Sequence, residues 1–554
     1  MRRWPYVLLT AIVSGLVAWW AIPNLHTERI TVRAADAHDV GPTLPTLSLH
    51  TFVFADSAQV MLLAAAVAFL VQLYSTKYMA QDNRYRSYAL LIILFLIAMV
   101  TVVASANLFV LLIGWEVMGV CSYLLIGHHW ERDDAQSGAA KALIVTRAAD
   151  IGLLLAILII GQTYGSYEIP QVLASLAAQG PRHSTLIGLL LIVAVVGKSA
   201  QVPLQTWLPD AMPGPTPITA LIHAATMVAA GVYLLVRLLS LFAGSDVAMT
   251  TLAVVAAVTM LSAALFALAQ SDLKRALAWS TVSQLAVMFA AVAVANGTAA
   301  IDHLVSHGAF KALLFLGCGV AMHAVGSSSL SAMGGLRRSS RLNFWTMTVG
   351  FLALGGIAPT VGFFSKDEVL EAVRHIPALF ASVVLTSVLT AAYSTRLWAL
   401  TFLGEAKGTH KTPVVMAVPL VVLAVAVFAL SVGKPFHLEI GVVSTAAAVL
   451  GVGLGWLLRK RTFESRIGRA LAGELGFDRI FSRFIPAIGA MKARAVVWID
   501  DTIIDSYPRG GAHSAAGVSW LLDRLQSAKA QLYATGIAVG AFALVGYAVA
   551  EVIR

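Results

Sequence analysis

Residues 186–217 read LIGLLLIVAVVGKSAQVPLQTWLPDAMPGPTP. The run up to Gly197 holds no polar side chain, Lys198 closes it, and Pro203, Pro209, Pro213, Pro215 and Pro217 follow. A lysine at the end of such a run is either kept neutral by desolvation or kept charged by a nearby carboxylate. The two states then lie close in energy, which is the condition for passing a proton on. Proline removes a backbone N–H and disrupts a helix. Irregular backbone at membrane depth survives only where protein or cavity water satisfies it. A central lysine beside an interrupted helix therefore predicts a hydrated path inside a membrane protein, rather than a side chain snorkelling along lipid.

The rest of the chain agrees with a membrane setting. Its 554 residues are 59% hydrophobic and 12% charged, whereas soluble domains carry about 25% charged residues. Mean hydropathy is +0.82. Apolar runs of about 20 residues recur along the whole length, each able to cross a bilayer as a helix, and about fifteen are expected. They begin near Tyr6, Val60, Tyr88, Leu108, Ala142, Leu186, Ile218, Thr250, Ala278, Ala300, Phe344, Ala378, Val415, Val442 and Ala530. The expected fold class is an all-α polytopic membrane protein.

The net charge of +10 does not point to nucleic acid, because the basic residues sit between the apolar runs, where they orient membrane helices. Arg2, Arg3, Lys77, Arg84, Arg86, Lys274, Arg275, Arg337, Arg338, Arg341, Lys407, Lys411, Arg459, Lys460 and Arg461 all fall on one side if the N-terminus is cytoplasmic. The opposite loops carry Arg29, Arg33, Arg182 and Lys434. This predicts a multi-pass protein of the cell's inner (plasma) membrane with the N-terminus inside and the C-terminus outside. Met1-Arg2-Arg3 precedes an apolar stretch with no small-residue cleavage site, so this stretch reads as an uncleaved first helix. Cys121 and Cys318 sit inside apolar runs and form no ligand spacing.

Charge inside a membrane helix is costly, so each instance is a functional candidate. Glu116, in Gly114-Trp115-Glu116, lies well inside the fourth run; Arg147 and Asp150 on the fifth are placed to orient it or to line a water path. His303, His307 and Lys311 are spaced by four and four, hence on one helix face. Histidine titrates near neutral pH, so the set reads as a proton wire. No carboxylate completes a metal site with the two histidines except Asp302, on an adjacent face, and no metal is expected. Lys366, in Gly362-Phe363-Phe364-Ser365-Lys366-Asp367-Glu368, repeats the arrangement at Lys198, because Gly355-Gly356 and Pro359 precede it. Interruptions at corresponding places in two halves suggest inverted repeats. His223 lies between Lys198 and the histidine stripe in chain order. No phosphate loop, nucleophile elbow or dinucleotide fingerprint occurs, so the chain is not expected to bind NADH, flavin or haem.

Residues 462–529 are mixed in polarity. Phe477, Ile480, Phe481 and Phe484 recur at helical spacing, Pro508 with Gly510-Gly511 marks a break, and Val518, Leu521, Leu522 and Leu525 form a second stripe. The pattern suggests an amphipathic lateral helix, the other reading being a loop before the last span.

Several of these segments together resemble a known family. They are Gly114-Trp115-Glu116 through Gly127, Lys198-Ser199-Ala200-Gln201-Val202-Pro203 through Met212, the His223 segment, Ser271-Asp272-Leu273-Lys274-Arg275, Ser306-His307-Gly308-Ala309-Phe310-Lys311 and the Lys366 segment. In this order they resemble the large antiporter-like subunit of respiratory complex I, within the proton-conducting transporters shared with Mrp-type antiporters. The resemblance runs from about Thr51 to Leu403. Val117-Met118 stands where the family has glycine-valine, and the family's usual additional N-terminal helix has no counterpart before Tyr6.

The resemblance implies an antiporter-like fold of two inverted five-helix repeats with broken helices and a lateral segment. The corresponding division is 1–104, 105–270, 271–411, 412–461, 462–529 and 530–554. Glu116 and Lys198 would interact, Lys311 would be the central relay lysine and Lys366 the exit-side one, with His223, His303 and His307 between and Asp367 in support. Proton translocation within a complex I-type NADH:quinone oxidoreductase is then implied. NADH, FMN, iron–sulfur clusters and quinone would sit in partner subunits, and this chain would be a non-redox part of the translocase. Cation/proton antiporters, membrane hydrogenases and inorganic-carbon uptake complexes use similar subunits.

Overall fold

The computed structural model describes residues 3–26, 48–224, 226–405, 412–461, 465–477, 494, 497–498, 500, 502, 506–525 and 530–552. Residues 1–478 form one compact unit and 479–554 another. The described chain is almost wholly helical, with no strand beyond isolated bridges. In chain order the helices are α1 (Trp4–Ala21), α2 (Ala55–Tyr78), α3 (Tyr85–Ala104), α4 (Leu108–Ile126), α5 (Asp133–Tyr164), α6 (Ile169–Gln179), α7 (Ser184–Lys198) and α8 (Trp207–Asp210). They continue with α9 (Thr216–Ala224), α10 (Met227–Arg237), α11 (Asp246–Ala269), α12 (Leu273–Val292), α13 (Gly297–Val325), α14 (Leu336–Ser339), α15 (Arg341–Gly355) and α16 (Val361–Val373). The first unit ends with α17 (Pro377–Phe402), α18 (Val414–Ala429), α19 (Leu438–Leu458) and α20 (Arg466–Ala472).

Each predicted span coincides with one of these helices or with the last helix of the chain. Among the described residues, 11 helices are long and apolar enough to cross a membrane, and Ser184–Lys198, Val414–Ala429 and Gln531–Tyr547 are shorter apolar helices. The predicted basic positions Arg2, Arg29, Arg33, Lys407 and Lys411 lie outside the described residues, as do Ala225 of the His223 segment and Ile480, Phe481 and Phe484 of the lateral stripe.

The interruption after Lys198 is present, and its backbone groups are satisfied by protein. The Ser199 N–H donates to Val195 O at 2.8 Å and the Gln201 N–H to Val196 O at 2.8 Å. Gly197 O accepts from the Trp207 indole at 2.8 Å, and Ser199 O from the Gln201 amide at 2.8 Å. The carbonyls of Val195, Val196 and Gly197 thus keep partners where the helix ends, which helps make a break tolerable away from water. A second interruption separates α15 from α16. Gly356, at φ 70°, caps α15 in the left-handed conformation, and its missing Cβ leaves room for the Lys366 stem. A third separates α9 from α10, where the Thr226 hydroxyl donates to Leu221 O at 2.7 Å.

These broken segments surround the most buried part of the unit. Every described residue of Thr216–Arg237 is buried, as is every residue of α12 except Arg275. The long α13 packs on α2, α9, α12, α15, α16 and α18. One end of the bundle joins Arg3 to Ala80 O at 2.7 Å, Arg84 to Glu131 at 2.8 Å, and Arg275 to Asp210 at 2.9 Å. The other joins Phe52 N to Ala104 O at 2.8 Å and Lys434 to Asp302 at 2.6 Å. Arg237 stitches this second end by donating to Phe52 O at 2.9 Å, Val103 O at 2.9 Å and Ser105 O at 2.6 Å.

In the second unit, α21 (Ser506–Leu525) and α22 (Ala530–Val552) are the main elements. The expected break at Pro508 and Gly510-Gly511 is instead the start of α21, which runs through all three residues. Proline is tolerated there because the first turn of a helix has no intrahelical partner for its N–H groups. Val518, Leu521 and Leu522 of the predicted stripe are exposed within this unit.

Candidate functional site

Three helices bring the first set of charges together. Lys198 ends α7, Asp150 sits mid-way along α5, and Trp115 and Glu116 are on α4. Gly197 faces Ala149 so closely that a Cβ on the glycine would lie 2.1 Å from the alanine Cβ. This approach aligns the next residue of each helix. Lys198 is fully buried, its ammonium 3.5 Å from Asp150 Oδ2 and donating to Trp115 O at 3.1 Å. The Trp115 indole donates to Asp150 Oδ1 at 2.5 Å, and its ring lies 4.9 Å from Lys198 Nζ. Lysine, carboxylate and indole form a closed set.

The carboxylate beside Lys198 is thus Asp150. Glu116, expected to interact with Lys198, is ion-paired with Arg147 on the flank of the unit, the two side chains being 30% and 35% exposed. Arg147 also donates to Glu116 O at 3.1 Å. Glu116 lies one turn before Gly119, where an added Cβ would stand 3.2 Å from Lys198 Nζ and 3.9 Å from the Arg147 guanidinium, so Glu116, Arg147 and Lys198 meet on this face of α4.

The second set gathers on α12 and α13. Lys311, fully buried, donates to Leu277 O at 3.3 Å and contacts the Ser280 hydroxyl. His303 places Nδ1 2.9 Å from Ser365 Oγ and Nε2 3.3 Å from Gln284 Oε1. The His303 and His307 rings are 6.5 Å apart. His223 is buried against Phe315, centroids 4.6 Å apart. Neither ring nitrogen of His223, nor His307 Nε2, has a hydrogen-bond partner among the described residues. A buried polar atom left unpaired costs about 1–3 kcal/mol, so these rings mark the stretch most in need of water.

Lys366 closes the row. Its ammonium donates to Leu354 O at 2.5 Å, taking one of the carbonyls released by the break after α15. Its neighbour Asp367, fully buried, accepts from the His437 N–H at 3.2 Å.

Sequence reasoning did not single out the part played by α12. Between Leu277 and Gln284 this helix supplies partners to Lys311 through Leu277 and Ser280, to Gln201 through Val282 O at 3.4 Å, and to His303 through Gln284. The amide of Gln284 reaches on to Thr390 at 3.4 Å. The available signal was the polar cluster Ser280-Thr281 and Ser283-Gln284 inside an apolar run. Lys274, read from sequence as a loop cation, is instead buried and donates to Met212 O at 2.6 Å and Gly214 O at 2.7 Å. Beside it Arg275 bridges Asp210 to Glu474, a buried carboxylate that also accepts from the Trp279 indole at 3.2 Å. Lys141 joins the same Asp210.

Known proteins share this sequence and architecture. The family model described as NADH:quinone oxidoreductase/Mrp antiporter, transmembrane region, matches residues 105–390, and that for the N-terminus of complex I chain 5 matches residues 55–89. The chain belongs to this family. NADH-quinone oxidoreductase subunit L of Mycobacterium tuberculosis is 36% identical over 525 residues, 87% of this chain and 83% of that protein. The subunit L of Rickettsia conorii is 39% identical over 407 residues, covering 70% of this chain and 62% of that one. A solved Mrp complex from Dietzia superposes with a TM-score of 0.68 at 25% identity, covering 98% of this chain and 60% of that chain. The archaeal membrane-bound sulfane sulfur reductase shares the fold with a TM-score of 0.67 at 23% identity, over 80% of this chain and 91% of that chain. The antiporter-like fold is thereby established for a multi-pass membrane chain whose relatives are subunits of multi-subunit complexes.

Proposed function

We propose that this chain is the proton-translocating membrane subunit of a complex I-type NADH:quinone oxidoreductase. Family membership over most of the chain supports it, and the observation that carries the mechanism is the row of buried ionisable groups from Lys198 through Lys311 to Lys366. In this reading the Lys198–Asp150 pair is the first station. His223 and Lys311 form the centre, His307 and His303 lead onward, and Lys366 with Asp367 delivers the proton to the far side. Glu116 and Arg147, on the flank at membrane depth, would pass charge to or from a neighbouring membrane subunit. Lysine suits this work because desolvation and a nearby carboxylate hold its two protonation states close in energy. Each proton moved against 100 mV costs about 2.3 kcal/mol, supplied by redox chemistry in partner subunits that carry NADH, FMN, iron–sulfur clusters and quinone.

The two interrupted lysine sites fall one in 105–270 and one in 271–411, which supports reading those segments as the inverted repeats. Arg3, Arg84, Arg275 and their neighbours share one end of the bundle, which supports a cytoplasmic N-terminus, and with it a C-terminus outside, in the inner (plasma) membrane. The Mrp likeness supports a second reading, a subunit of a cation/proton antiporter. NADH-driven proton uptake into inverted vesicles separates them. Pumping that is lost in Lys198→Ala and Lys311→Ala at normal assembly supports the first. Absence of NADH-driven pumping in native vesicles overturns it in favour of the second.

A further inference from the structure

Away from the lysine row, at the end of the bundle that carries Arg3 and Arg84, the turn between α2 and α3 meets the end of α4. Asp82 comes from the turn. His128 and His129 come from the single 3₁₀ turn, Gly127–His129, that follows α4. Each of the three offers one ligand atom, and these atoms all lie within 4.8 Å of one another. We propose that Asp82, His128 and His129 form a site for a divalent transition-metal ion of the Zn²⁺ type.

The parts of such a site are already in place. His128 is buried, with its Nε2 2.9 Å from Asp82 Oδ2. The other carboxylate oxygen accepts from the Arg84 N–H at 2.7 Å, a contact that holds the acid in position as an outer-shell partner does in metal centres. The Tyr88 ring lies edge-on to His128 at 5.5 Å and the His129 ring at 4.9 Å. His129 is half-buried; its carbonyl accepts from the Arg132 N–H at 2.9 Å, which leaves the ring to face water and a ligand. The neighbouring acids are engaged elsewhere, Glu131 with Arg84 at 2.8 Å and Asp134 with Arg132 at 2.6 Å. Asp82, with Oδ2 against the His128 ring, is the acid placed to face a cation.

Two imidazoles, which are borderline donors, joined by one hard carboxylate suit Zn²⁺, Co²⁺ or Ni²⁺ rather than Mg²⁺ or Ca²⁺, which prefer an all-oxygen set. Zinc–ligand bonds of about 2.0–2.1 Å in a tetrahedron put ligand atoms roughly 3.3 Å apart. His128 and Asp82 already meet that spacing, and a side-chain rotation of His129 completes it, with water as the fourth ligand. The bound ion would clamp the α2–α3 turn to α4, the helix that carries Trp115 and Glu116. The inference is independent of the proton-relay reading, because it rests on metal binding alone.

The test uses the full-length chain in detergent, titrated with Zn²⁺ against a chromophoric chelator and compared with His129→Gln and His128→Gln/His129→Gln. Thermal unfolding without metal checks that each variant is folded; His129 is half-exposed, so its replacement leaves that transition in place. The native chain is expected to hold one Zn²⁺ more than the double variant. His129→Gln is expected to weaken that ion at least tenfold and to lose the rise in unfolding temperature that Zn²⁺ gives the native chain. X-ray absorption at the zinc edge should show imidazole scattering that disappears in the double variant. Equal stoichiometry and affinity in the native chain and His129→Gln, or zinc bound without imidazole, would overturn the proposal.

Discussion

Moving a single methyl group between two helices tests whether the Lys198–Asp150 geometry drives translocation. A Cβ added at Gly197 would sit 2.1 Å from the Ala149 Cβ, whereas carbon atoms pack at about 3.5–4.0 Å. In Gly197→Ala, α5 and α7 must therefore part by roughly 1.5 Å, and overpacking of this kind costs about 1–3 kcal/mol. The ammonium–carboxylate distance, 3.5 Å in the native chain, would open to about 5 Å. With an effective dielectric of about 20, the Coulomb attraction falls from ~4.7 to ~3.3 kcal/mol. The loss of ~1.4 kcal/mol is about one factor of ten in a step that depends on the pair.

The compensating change is Ala149→Gly. With that methyl removed, the next atoms a Gly197→Ala methyl meets are Ala149 Cα and Val145 O, both at 3.6 Å, an ordinary contact. The assay is the initial rate of NADH-driven proton uptake in inverted vesicles, per assembled complex. Gly197→Ala should pump about tenfold more slowly, and Ala149→Gly/Gly197→Ala should recover to within about twofold. If Gly197→Ala pumps at the native rate, or the assembled double variant fails to recover, the distance between Lys198 and Asp150 does not set the rate.

Three further outcomes are expected. Lys311→Ala should abolish pumping in vesicles while the complex assembles, and Lys311→Arg should not restore it, because a guanidinium with a pKa above about 12 keeps its proton. Gln284→Leu leaves His303 without its α12 partner, and the same vesicle assay should show at least a tenfold loss, since about 1.4 kcal/mol of one hydrogen bond is a factor of ten. Glu474→Ala removes a buried carboxylate from Arg275 and the Trp279 indole while Arg275 keeps Asp210, and thermal or denaturant unfolding in detergent should show a loss of about 1–3 kcal/mol; an unchanged transition would mean that the contact carries no stability.

Much of the architecture was legible along the chain. The stretch from Leu186 to Pro217 announced a buried lysine beside a broken helix, and α7, its interruption and α8 follow that reading. The spans were equally plain, because crossing a bilayer is a matter of length and apolarity, both local quantities. Pro508 misled for a local reason as well, since proline reads as a break in mid-sequence but is acceptable in the first turn of a helix. Lys274 was taken for a loop cation because it precedes an apolar run; the chain that folds back over it, at Met212 and Gly214, is distant in sequence.

The sequence by itself determined most of the residues that carry charge into the membrane and their segments, Lys274 excepted, because composition and spacing suffice for that. Only the tertiary structure decided their partners. An apolar helix has no polar face to reveal its rotation, so nothing local indicates that Trp115 turns inward and Glu116 toward the flank. Nor does anything local indicate that Gly197 and Ala149 come close enough to pair Lys198 with Asp150. The role of α12 is of the same kind. Ser280 and Gln284 stand out in sequence only as polar residues in an apolar run, and Leu277 and Val282 not at all. They become the shared partners of Lys311, Gln201 and His303 only when packing brings elements from distant parts of the sequence around one helix.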